Sequence, residues 1–228
     1  MNKENFNQLK DSLYAQGFEI LINNVELENC FEEEPARFRL SASKYFDEWT
    51  RTDAKLYFRR SPQLNCHFLY SFTATLHYLT AARNSRTHMF YTHPGLCFSF
   101  IEAYNLLDGR CVYKKGVDID NAVCNAWIRL DFDKRDMEGN YNLKPYRERN
   151  GDYLEKALQL YPIEELTDEA QRRDLILSLR RGDVHAVSFV KDSKKEIKYI
   201  EANPLHRMIN IYSSQQVLQQ RKIGLKEI

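Results

Sequence analysis

The feature that most constrains the fold of this chain is an alternation. Between Asn65 and Leu76, the residues Cys66, Phe68, Tyr70, Phe72, Ala74 and Leu76 take every second position against Asn65, His67, Leu69, Ser71, Thr73 and Thr75. Successive side chains of an extended strand point to opposite faces, whereas a helix repeats every 3.6 residues. A period of two held this long therefore dictates a strand, with the first set on one face. Upstream, Phe38 and Leu40 alternate with Arg37, Arg39 and Ser41, and Leu56 and Phe58 alternate with Lys55, Tyr57 and Arg59. Arg60-Ser61-Pro62-Gln63 interrupts the pattern, so the runs on either side of it are expected to pair as an antiparallel hairpin across Pro62.

Helical signals are short and separate. Phe6, Leu9 and Leu13 step by three and four before Gly17. Ser99 with Glu102 makes a capping box in which each side chain satisfies the other's free amide, and Gly109 stands at the expected stop. Leu154, Ala157, Leu158 and Tyr161 mark a helix ended by Pro162. Thr167 or Asp168 caps another that buries Leu175, Ile176 and Leu179 and stops at Gly182. The acidic stretch ending in Glu32-Glu33-Glu34-Pro35 reads as a solvated turn. Ala126, Ile128, Leu130 and Phe132 alternate with Trp127, Arg129, Asp131 and Asp133 as a strand that returns through Glu138-Gly139-Asn140 to 141–144. Strands at about 184–190, 196–201 and 207–212 follow, and the polar tail from Gln215 is expected to fray or form a loose helix.

Strands and helices are thus segregated. The expectation is an α+β protein with antiparallel sheets, an N-terminal hairpin and a C-terminal meander packed with about four short helices. The stretch 83–94 has no clear period and suggests a boundary, giving regions 1–94 and 95–228, or one continuous domain. At 228 residues the chain can bury a core without staples. No apolar run approaches the roughly 20 residues of a membrane helix, so no membrane partner is expected. Five cysteines without a CxxC pair, and a start with no apolar stretch behind it, lead to an expectation of reduced, mostly buried thiols in the cytoplasm.

Charge is uneven. The formal net charge is +1, which excludes attachment to nucleic acid or membrane by bulk charge. Yet residues 1–48 hold 5 basic and 10 acidic groups, while residues 49–115 hold 9 basic and 3 acidic. The basic segment also carries Trp49, Tyr57, Phe58, Phe68, Tyr70, Phe72, Tyr78, Phe90 and Tyr91. Cations neutralise phosphates and rings stack on bases, so a shared sheet face suits a single strand of nucleic acid. The candidate residues are Lys55, Tyr57 and Arg59, extended by Arg60, Arg83 and Arg86. The competing reading has these rings in the core and the arginines paired with the acidic N-terminal stretch.

Other chemistry is thinner. His67, His77, His88 and His93 with Cys66 and Cys97 lack the two tight ligand pairs that zinc favours. Asp131 and Asp133 share one strand face and are the weak candidates for a magnesium site serving phosphoryl chemistry; the competing reading is a polar outer face. No P-loop, GxGxxG or GxSxG motif is present, so no catalytic residue is assigned and no cofactor is called for.

Five blocks carry a resemblance. They are Glu102–Arg110, Asn125–Phe132, Gly139–Lys144, Pro162–Leu166, and Ile200-Glu201-Ala202-Asn203-Pro204 followed by Ile209-Asn210-Ile211-Tyr212. Their order and spacing resemble an uncharacterised domain-of-unknown-function family carried by conjugative transposons and other mobile elements of gut bacteria, often near a type IA topoisomerase gene. The match covers roughly residues 95–215. It implies a neighbourhood of DNA transfer or element maintenance and no catalytic residues. Three functions are then expected in order. The first is a non-enzymatic accessory protein of a mobile element that binds single-stranded DNA or RNA. The second is a protein–protein adaptor or regulator that binds another protein of the element or host, without nucleic acid. The third is a metal-dependent nuclease.

Overall fold

The structure is a computed structural model that describes residues 3–21, 25–33, 35–63, 65–79, 83–92, 96–148, 153–192 and 194–217. The fold is α+β, with ten strands in three antiparallel sheets among the described residues. The chain divides into two compact units, one of residues 1–79 with 84–107 and the other of residues 80–83 with 108–228. No described helix is long and apolar enough to cross a membrane. All five cysteines are free; Cys97 is exposed and the other four are half-buried.

In the first unit, β1 (Arg37–Asp47), β2 (Thr50–Ser61), β3 (Cys66–Tyr78) and β4 (Arg86–Tyr91) form a four-stranded sheet in chain order. The expected hairpin across Pro62 is present, with Ser61 opposite Cys66. One face is covered by α1 (Lys3–Ala15), α2 (Val25–Glu32) and α3 (Phe100–Leu107), which pack against β3, β1, and β3 with β4, respectively. Phe6, Leu9 and Leu13 are the buried stripe of α1, as their spacing requires. Gly17, at φ +80°, closes α1 with Phe18 N–H donating to Leu13 O at 2.8 Å. That turn drives Phe18 into the core, where its ring lies 4.9 Å from Phe100 and 5.0 Å from Phe72. Each such ring removes enough apolar surface from water to contribute about 1.5–3 kcal/mol.

The capping box of α3 forms as expected, with Ser99 N–H donating to Glu102 Oε2 at 2.7 Å and Glu102 N–H to Ser99 Oγ at 3.4 Å. In the first unit, helix α2 and strand β4 differ from the sequence expectation. The acidic stretch before Pro35 includes the helix α2, because Leu27 and Phe31 stand one turn apart and are both buried, leaving Glu26, Glu28 and Glu32 to face water. The aperiodic stretch 83–94 contains β4, whose central His88 and Phe90 are buried while Arg86, Met89 and Tyr91 are half-buried.

In the second unit, β5 (Val112–Ile119), β6 (Ala122–Arg135) and β7 (Tyr141–Arg147) form one sheet; β8 (His185–Lys191), β9 (Lys194–Asn203) and β10 (Met208–Tyr212) form the expected meander. Helices α4 (Tyr153–Leu158) and α5 (Glu169–Arg180) complete it. Asp168 caps α5, its carboxylate accepting from Gln171 N–H at 2.9 Å. Trp127, Leu154, Leu158, Leu175, Leu179, Ile200 and Ile209 make the core. Burial pushes the Cys111 thiol beside that core up to about 12, which keeps it protonated and unreactive. The tail from residue 218 onward lies outside the described residues.

Candidate nucleic-acid interface

Opposed residues of an antiparallel pair share a face, so the registers fix the composition of each side of the four-stranded sheet. Phe38 opposes Phe58, Leu40 opposes Leu56 and Ala42 opposes Ala54 on the helix-covered side. Arg37 then opposes Arg59, Arg39 opposes Tyr57, Ser41 opposes Lys55 and Tyr45 opposes Arg51 on the other side. Arg37, Arg39, Tyr45 and Lys55 are exposed; Arg51, Tyr57 and Arg59 are half-buried.

On β3 the alternation breaks. Tyr57 opposes Ser71, yet the next residue of β2, Phe58, opposes Leu69, so Tyr70 is the extra residue of a β-bulge. One inserted residue exchanges the faces of everything beyond it. Phe72, Ala74 and Leu76 remain buried, but toward Cys66 it is His67 and Leu69 that go inside. The sequence expectation that Cys66, Phe68 and Tyr70 share the face of Phe72 is therefore corrected. Phe68 opposes Arg59 on the outer side and is 40% exposed. Tyr70 lies under the Arg59 guanidinium, whose carbon is 3.4 Å from the ring centroid, and meets Tyr91 of β4 edge to face at 5.9 Å.

The outer face thus gathers Arg37, Arg39, Arg51, Lys55 and Arg59 with Tyr45, Tyr57, Phe68, Tyr70 and Tyr91. Asp53 is its carboxylate among the described residues, and its own neighbours hold it. Ser43 Oγ donates to it at 2.7 Å, Arg51 Nη2 lies at 2.9 Å and His77 Nε2 at 3.1 Å. Burial pushes the Asp53 carboxyl up, but the Ser43 hydroxyl, Arg51 and His77 together outweigh that and hold it below the usual carboxylate range. Arg37, Arg39, Lys55 and Arg59 make no ion pair with any described residue. Acidic residues near the start pair elsewhere, Glu28 with Lys10 at 3.7 Å and Glu19 with Lys44 at 2.8 Å.

Of the six residues expected from sequence, Lys55, Tyr57 and Arg59 lie on this face. The other three are not brought to it. Arg60 opposes the buried His67, on the side of Phe58. Arg86 opposes Leu76 on the covered side and donates from Nη1 to Leu107 O at 3.1 Å. Arg83 is off the sheet, with Nη1 3.6 Å from Asp108 Oδ1. Arg37 and Arg39 were visible in the sequence as the polar half of an alternation, but only the register with β2 joins them to Tyr57 and Arg59.

The metal candidates do not assemble among the described residues, where no three His, Cys, Asp or Glu side chains converge. Asp131 accepts instead from the backbone amide of Asp133 at 3.2 Å. His67 Nε2 is engaged with Pro35 O at 2.8 Å and His77 Nδ1 with Ser85 Oγ at 3.1 Å; His93 lies outside the described residues. No protein-family model, no curated protein and no solved structure matches this chain.

Proposed function

We propose that this protein binds single-stranded nucleic acid through the outer face of β1–β4, as a non-enzymatic accessory protein of a mobile genetic element. The observation that carries the reading is the meeting of Arg37, Arg39, Lys55 and Arg59 with Tyr57, Phe68 and Tyr70 on one sheet face. Cations with no ion partner among the described residues release counterions when they meet phosphates, and that release is favourable and salt-dependent. The rings favour a single strand over a duplex, because bases in a duplex already stack on one another and present only their edges. A broad sheet also fits a splayed strand better than a major groove, which admits a helix or a two-stranded ribbon. The association with a mobile element is supported by the sequence resemblance of residues 95–215.

Fluorescence anisotropy with labelled single-stranded and duplex DNA of equal length, each over a salt series with and without magnesium, tests the reading. The expected result is tighter binding of the single strand, weakening as salt rises and indifferent to magnesium. Absence of binding at low salt overturns it in favour of a protein adaptor. Magnesium-dependent cleavage overturns it in favour of a nuclease.

A further inference from the structure

The second unit contains a cavity of about 440 Å³, within the size range of small-molecule sites. Its walls come from two sheets. Pro145, Tyr146, Arg147 and Glu148 line it from β7 and just beyond, and Pro204, Leu205 and Arg207 line it from the turn between β9 and β10; Trp127 and Tyr153 contribute from the core.

The charged groups around it are not equally available. Glu148 is committed at both oxygens, accepting from Trp127 Nε1–H at 3.1 Å and from Tyr153 N–H at 3.1 Å. Arg147 is committed to the β5–β6 turn, donating to Ile119 O at 2.6 Å and to Asp120 Oδ2 at 2.9 Å. Arg207 alone of these makes no side-chain hydrogen bond or ion pair among the described residues. Its backbone is held at φ +54°, a left-handed conformation that costs a non-glycine residue free energy. Beside it Leu205, at 56% exposure, presents apolar surface at the cavity rim.

A free guanidinium, a half-buried tyrosine ring, a proline and an exposed leucine around one cavity select a flat ring that carries an anionic group. A guanidinium matches phosphate in bidentate geometry, and the apolar walls match a base. We propose that this cavity binds a nucleoside 5′-monophosphate, with the phosphate on Arg207 and the base against Tyr146, Pro145 and Leu205. The site is separate from the sheet face of the first unit and does not depend on it.

Isothermal titration calorimetry of the whole chain with adenosine and uridine 5′-monophosphates tests this, with adenosine alone and inorganic phosphate alone as separate arms. The expected result is saturable one-site binding of a monophosphate, with the nucleoside and the phosphate each at least about tenfold weaker. Asparagine tolerates the left-handed backbone, so Arg207→Asn removes the charge without refolding the turn. It is expected to weaken binding at least about tenfold, with Arg207→Lys intermediate and Lys55→Ala without effect. Equal competition by a 5′-phosphorylated trinucleotide identifies the ligand as a strand end, and failure to compete identifies it as a free nucleotide. No saturable binding to the folded wild type, or unchanged binding by a folded Arg207→Asn, overturns the proposal.

Discussion

Phe68 and Phe72 are the same amino acid on the same strand, an even number of positions apart, and they meet opposite fates. Phe72 is fully buried, its ring 5.0 Å from Phe18 and 5.3 Å from Phe90. Phe68 is 40% exposed on the outer face, opposite Arg59. The strand after Tyr70 points Phe72 into the core, and the strand before it turns Phe68 outward to join the cations while His67 and Leu69 go inside. One extra residue does this, and no change of composition is involved. A bulge re-aims side chains that the alternation alone would bury.

Truncating the two rings is the strongest way to break that comparison. Phe72→Ala is expected to destabilise the protein by about 3–5 kcal/mol, read by chemical denaturation, because it leaves a cavity lined by aromatic neighbours. Phe68→Ala is expected to leave stability within about 0.5 kcal/mol. The same variant is expected to weaken single-strand binding by about 1–3 kcal/mol, the value of one stacked base. Equal losses of stability in the two variants would mean that Phe68 is a core residue.

Smaller effects sharpen the picture. Arg59→Ala removes one phosphate-binding cation and also the guanidinium over Tyr70; binding is expected to weaken with a salt slope shallower by about 0.7, and stability to fall by about 0.5–1 kcal/mol for the lost cation–π pair. Asp53→Asn deletes the carboxylate of the face among the described residues. It is expected to tighten binding slightly at low salt and to make the salt dependence steeper, at a stability cost of about 0–1 kcal/mol for the lost Arg51 pair.

Much of this architecture was legible in the sequence because local rules and packing agree there. Ser99 and Glu102 read as a cap, the cap of α5 read as Thr167 or Asp168 and is Asp168, and the hairpin across Pro62 read as a hairpin. The bulge was not legible, because Tyr70 and Ser71 obey the alternation on paper and depart from it only against Tyr57. The helix α2 was obscured by its glutamates, which dominate the composition while Leu27 and Phe31 decide the packing. For the candidate face, Lys55, Tyr57 and Arg59 followed from alternation within one strand. Arg37 and Arg39 needed the register between strands, and the placement of Arg60 and Arg86 followed from which face the helices cover.

The central claim is that Arg37, Arg39, Lys55 and Arg59 meet phosphates together, and the salt dependence of binding reads that number directly. For single strands each neutralised phosphate contributes about 0.7 to the slope of log K against log salt, so the wild type is expected to give a slope of about −3. The Arg39→Ala/Lys55→Ala double variant is expected to give a slope shallower by about 1.4, with unchanged melting. A wild-type slope near zero, or a double variant whose slope matches the wild type, would contradict the account.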